Sequence, residues 1–208
     1  KPTHPSELQA HVRALLARSV HTDQDAPTSP SEQHGYLIGV LAARGGLGVT
    51  SVATNLAAAL FTRTHADVVL AELVPGQGTL GMDMGLRDGR ILNEILSGAP
   101  VEVTREKAMS ALQPHPSGVK VLIASENPRD VQLTSRVQNY EMLLTRLSTL
   151  ARFIILDMGS SLPPFVMGTL PLCSEQMLVV EGLPNSIQHA RLMIDQMTGT
   201  GSVDVHVQ

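Results

Sequence analysis

The chain has 208 residues, 43% hydrophobic and 16% charged, enough for one sizeable core and too few for two full domains. Its 15 Lys and Arg against 19 Asp and Glu leave a net charge of −4, the wrong sign for a protein whose main affinity comes from neutralising nucleic-acid phosphates. Aromatics at 2% argue against base-stacking platforms, and the single cysteine, Cys173, excludes an internal disulfide framework and a Cys-rich zinc site.

In chain order, Leu8, Val12, Leu15 and Leu16 fall at i, i+4, i+7 and i+8 behind Pro5, which predicts an amphipathic helix over 5–18. Residues 19–34 are polar and aperiodic, with Pro27 and Pro30, and read as a linker. From residue 35 a strand–turn–helix pattern recurs. Residues 36–43 form an apolar strand, 44–48 a Gly-rich turn and 50–61 an Ala/Leu-rich helix. Further strands are expected at 68–71, 119–124, 153–156 and 177–180. Their nearly continuous Val, Ile and Leu content is that of strands covered on both faces.

Between them, Val137, Tyr140, Leu143, Leu144, Leu147 and Leu150 hold a helical stripe, as do Ile187, Ala190, Ile194 and Met197. Shorter helices are expected at 91–96 and 105–112. The alternation predicts an α/β fold, a mostly parallel twisted sheet with helices on both faces. Strands 36–43 and 153–156 should lie adjacent and central. No apolar run approaches the roughly 18 residues of a membrane helix, and no signal peptide is visible, so the expected location is cytosolic. The first residues, Lys1-Pro2, and the strand-like Ser202 to Gln208 suggest a fragment of a longer protein.

The turn Ala43-Arg44-Gly45-Gly46-Leu47-Gly48-Val49-Thr50-Ser51 joins a buried strand to a helix. Glycines there let backbone N–H groups converge on an anion, and the helix end adds its dipole. Thr50 and Ser51 stand where hydroxyls reach a magnesium ion and a phosphate. A purely structural glycine turn is the alternative. The paired hydroxyls and Asp157, which ends an apolar strand, favour a phosphate-loop fold.

Arg44 to Ser51, followed by Val52-Ala53-Thr54-Asn55-Leu56, resembles the deviant phosphate loop of the MinD/ParA ATPases, Lys-Gly-Gly-x-Gly-Lys-Thr-Thr. The resemblance runs from about residue 35 to the end and is greatest to the pilus-assembly branch named CpaE or TadZ. Leu80-Gly81-Met82-Asp83-Met84-Gly85-Leu86 and Phe153-Ile154-Ile155-Leu156-Asp157-Met158-Gly159 both look like that branch. The stretch 1–18, with Glu7-Leu8 and Val12-Arg13-Ala14-Leu15-Leu16, is similar to the last turn and helix of response-regulator receiver domains. The resemblance therefore implies a receiver-like helix at 1–18, a linker at 19–34 and a P-loop domain over 35–208, truncated at its C-terminus.

It also implies a site. Arg44, Gly45, Gly46, Gly48, Thr50 and Ser51 would bind nucleotide, and Thr50 and Asp157 would hold magnesium. Two departures weaken it. The loop lysine that cradles the β- and γ-phosphates is replaced by Val49, while the family's second, signature lysine corresponds to Arg44. The family's Asp-x-Asp-Pro reads Glu72-Leu73-Val74-Pro75, so Glu72 keeps the first acid and Val74 has lost the one that positions water. A charge-assisted hydrogen bond is worth about 1.5–3 kcal/mol, so losing the lysine should weaken ATP binding about ten- to a hundredfold.

The resulting expectation is a receiver-linked, degenerate MinD/ParA-type scaffold or polarity factor, with ATP and magnesium bound weakly or not at all. It would form a homodimer and help place a pilus or secretion machine, recruited to the inner membrane face or a cell pole. An active but atypical ATPase is the alternative. A DNA-partitioning protein comes third, disfavoured by the acidic balance. The eight histidines show no metal-ligand spacing, and Ser160-Ser161 lack the Gly-x-Ser-x-Gly of a hydrolase. Cys173 reads as a buried thiol, and Met82, Met84, Met193 and Met197 as core or interface filler.

Overall fold

The computed structural model describes residues 34–199; the expected helix at 5–18, most of the linker and the strand-like segment from Ser202 lie outside them. All described residues but His34 belong to the unit that starts at Gly35. Six strands form one sheet: β1 (Tyr36–Ala42), β2 (Val68–Glu72), β3 (Gln113–Pro114), β4 (Lys120–Leu122), β5 (Phe153–Ser160) and β6 (Glu175–Val179). Their spatial order is β3-β4-β2-β5-β1-β6. Every pairing is parallel except β3 with β4. The mostly parallel sheet is therefore as expected, and β1 and β5 are adjacent, interior and in parallel register from Tyr36 opposite Phe153.

The apolar runs explain this order. In β1, β2 and β5, Leu37, Leu41, Val69, Ala71, Ile154 and Leu156 belong to a core shared with helices α3 (Arg90–Ser97), α5 (Val137–Ser148), α6 (Pro164–Thr169) and α7 (Pro184–Gly199). The intervening Ile38, Val40, Val68, Leu70 and Ile155 are equally buried. Helix α1 (Val49–Thr64) packs on β1, β2 and β5 and contributes Ala53, Leu56, Ala57 and Leu60 to the interior. Strands with no polar face must be covered twice, and here they are. Two short helices, α2 (Leu80–Asp83) and α4 (Arg105–Ser110), complete the chain-order set.

Several boundaries differ from the sequence reading. Helix α1 extends three residues past the expected end at 61, and β5 runs four residues beyond 156. β4 keeps only three residues of the expected 119–124. β6, expected to be covered on both faces, is an edge strand whose five residues are all half-buried. Met193 and Met197 are core residues, whereas Met82 is 69% exposed and so not core filler. Cys173, expected to be buried, is half-buried and packs against Gly39, and desolvation pushes its thiol up to about 12.

Candidate functional site

The carboxyl ends of β1, β5 and β6 meet around the turn that leaves β1. Gly46 and Gly48 both have φ of +82°, the left-handed region in which a Cβ is strained. Gly48 leads straight into α1, whose first turn has neither an acidic residue nor a side-chain cap. The first helical bond runs from the Val52 N–H to the Gly48 carbonyl at 2.9 Å, so the amides of Val49, Thr50 and Ser51 receive no partner from the helix itself. Such a helix end favours an anion. Ser160, at the end of β5, lies beside Gly45.

The structure places the loop residues of interest differently from one another. Val49 is 8% exposed, an apolar residue turned into the fold at the first helical position. Thr50 is half-buried and Ser51 exposed. Arg44 is exposed, and its guanidinium is paired with the Glu181 carboxylate. Neither a free turn cation nor one directed at the loop, it is held by its own chain. Nothing near Glu181 in the sequence marks it; the parallel register, with Ala42 opposite Val179, puts residues 44 and 181 side by side two positions further on.

Asp157 is 3% exposed. Its Oδ1 accepts the Gly159 N–H at 3.1 Å, and its Oδ2 has no hydrogen-bond partner. Burial raises the pKa of this carboxyl, and the nearby Thr50 hydroxyl and Gly159 amide only partly oppose that. Thr50 and Asp157 are thus brought together beside the helix end. An orphaned buried carboxylate oxygen next to a hydroxyl is a fit for a hard cation. Among the described residues no group of three or more His, Cys, Asp or Glu could hold a metal. Magnesium there would depend on one carboxylate, one hydroxyl and the oxygens of its own ligand.

Glu72 stands opposite Asp157 in the β2–β5 register. Its carboxylate is taken up by backbone amides. Oε1 accepts the Thr79 and Leu80 amides at 2.8 and 3.1 Å, and Oε2 accepts the Ala124 amide at 3.0 Å. Burial raises its pKa first, those three amides lower it, and Asp157 adds to the rise. Its oxygens are committed to backbone, so Glu72 staples the segment after β2 to the end of β4.

The two carboxylates should respond oppositely to amide substitution. Glu72→Gln aims a side-chain NH2 at one of three amide donors and should cost about 1–3 kcal/mol in denaturant unfolding. Asp157→Asn removes a desolvated charge and should stabilise the ligand-free protein at neutral pH by about 1–2 kcal/mol. A carboxyl whose folded pKa is raised contributes stability below its unfolded value that is lost as pH rises through the folded value. The difference between wild type and Asp157→Asn should therefore open as pH rises above about 4 and close below it, which a series of urea melts would reveal.

The segment after β2 is fastened at further points. The Leu73 N–H donates to the Asp157 carbonyl at 2.9 Å, and the Tyr140 hydroxyl donates to the Leu73 carbonyl at 2.9 Å. Tyr140 also stacks on Phe165, ring centroids 4.4 Å apart. The Gly76 and Gly78 amides both reach the Ser125 carbonyl. Val74 sits over Gly159, which has φ of +70°; a Cβ there would lie 2.8 Å from Val74 Cγ2. An apolar side chain thus covers the end of β5 where a water-positioning carboxylate is expected by resemblance.

Neither protein-family models nor curated proteins gave a match to this chain. Solved structures did. A ParA family ATPase from Chlorobium tepidum TLS superposes with a TM-score of 0.66 at 20% identity, covering 77% of this chain and 67% of its own. The cell division ATPase MinD of Pyrococcus furiosus gives 0.64 at 19%, covering 81% and 68%. Cobyrinic acid a,c-diamide synthase from Mycobacterium smegmatis, solved with ADP and magnesium, gives 0.62 at 19%, covering 79% and 68%. With the glycine turn at the carboxyl ends of a parallel sheet, these likenesses show that the chain has the α/β fold of the ParA/MinD-type phosphate-loop ATPases.

Proposed function

We propose that this protein is a degenerate MinD/ParA-type, CpaE/TadZ-like scaffold or polarity factor that binds nucleotide weakly and hydrolyses it little. Its observed core is a phosphate-loop fold; its partners would be a second copy and a pilus or secretion machine. Among the described residues no helix is long and apolar enough to cross a membrane; in this reading the protein is recruited to the inner membrane face or a cell pole. In this reading residues 1–18 are a receiver-like helix, 19–34 a linker and 35–208 the P-loop domain.

The observation that carries the reading is the pairing of a kept cradle with lost charge. The amides of Gly45, Gly46 and Gly48, with the hydroxyls of Thr50 and Ser51, would receive phosphates. Thr50 and Asp157 would hold magnesium. Yet Val49 supplies no cation and Val74 no acid. Bound, the nucleotide's phosphates would meet the unpartnered amides at the helix end, and its magnesium would meet the Asp157 carboxylate. The loop's own part would be to bind and orient, with the fastened segment 73–80 holding its wall. Phosphoryl transfer relies on positioning and on cations that meet developing charge, so the losses should affect turnover more than binding.

Sedimentation with and without MgATP tests the scaffold role: self-association under at least one condition supports it, and a strict monomer at high concentration under both would defeat it. A second reading, an active but atypical ATPase, is favoured by one observation, the unpartnered Oδ2 of Asp157 beside Thr50.

A further inference from the structure

We propose that Glu181 is an internal competitor for the phosphate site, a carboxylate that occupies Arg44 until a nucleotide's phosphates displace it. The proposal rests on the phosphate-site reading above. Within 44–51 Arg44 is the only charged residue, and Val49 leaves it without help. Its guanidinium is engaged by Glu181, whose Oε1 is buried and has no other hydrogen-bond partner. The contact is built into the sheet, because the β1–β6 register delivers both residues to the same edge just past Ala42 and Val179.

The charges near the loop then sum unfavourably for an anion. Arg44 is cancelled by Glu181, and the carboxyl groups of Asp157 and Glu72 lie at the adjacent strand ends. An incoming phosphate must exchange one carboxylate partner of Arg44 for its own oxygens. That exchange favours ligands with more charge to offer, a triphosphate over a monophosphate. Both side chains are partly exposed, so the pair is weak enough to be broken by a ligand.

Glu181→Gln keeps shape and removes the charge, and two readouts on the intact protein separate the possibilities. Modification of Arg44 by phenylglyoxal, followed by peptide mass spectrometry, should run several-fold faster in Glu181→Gln than in wild type. MgATP affinity should rise about three- to tenfold, and the gain should vanish when Arg44→Gln is added. Thermal melts of each variant confirm folding. Equal labelling rates would show that no latch exists. Faster labelling with no gain, where wild type binds MgATP, would remove Glu181 as competitor and leave the phosphate site standing. A gain that survives Arg44→Gln would reduce Glu181 to a repelling charge and overturn the proposal. Faster labelling with no binding by either protein at millimolar MgATP would overturn the phosphate site and the proposal together.

Discussion

Val49→Lys is expected to tighten MgATP binding about ten- to a hundredfold, the reverse of what the valine costs. The position is the first residue of α1, immediately before Thr50 and at the helix end where backbone amides are unpartnered. A lysine there supplies the phosphate contact that the valine cannot. The side chain must leave a buried site, and its flexible stem can follow the helix end outward. Calorimetric titration of wild type and variant provides the comparison. No gain in affinity, in a variant that melts like wild type, would mean that the loop does not receive phosphate.

The larger effect is expected on turnover. Val49→Lys with Val74→Asp should raise ATP hydrolysis from background to a measurable rate, a gain of about a hundredfold or more. Either change alone should do much less. A clamp without a positioned water turns over slowly, and a positioned acid without the clamp acts on a substrate seldom bound. Val74 lies directly over Gly159, so an aspartate there places its carboxylate at the carboxyl end of β5. Phosphate release by the single and double variants distinguishes the cases. Additive small gains would argue that the two positions do not share a site.

Much of the fold could be read from the chain because its signals are local. Continuous apolar runs such as Phe153 to Leu156 declare strands covered on both faces, and the glycines before Thr50 declare a tight turn into a helix. The two-residue β3 carries no such signal; it exists only because β4 offers it an antiparallel partner. The expected strand 177–180 is wholly apolar, whereas the observed β6 starts at Glu175-Gln176 and lies at the sheet edge, a position that only the sheet order reveals.

The site divides in the same way. Arg44, Thr50 and Asp157 stand out by motif, but what each touches depends on register. Glu72 stands where the resemblance puts the family's first acid, and three amides, the most distant 52 residues away, take up its oxygens. Glu181 carries no local pattern, since its partner Arg44 lies past the end of another strand. Tyr140 is legible as part of a helical stripe, but its hydroxyl's bond to the Leu73 carbonyl, 67 residues away, is not.

Hydrolysis by the unmodified protein is the most direct test of the degenerate-site reading. MgATP is titrated into the full chain while binding and phosphate release are followed in the same samples. The expected result is weak, saturable binding with release indistinguishable from a protein-free control. Robust turnover by the protein carrying Val49 and Val74 would contradict it and establish the active-ATPase reading in its place.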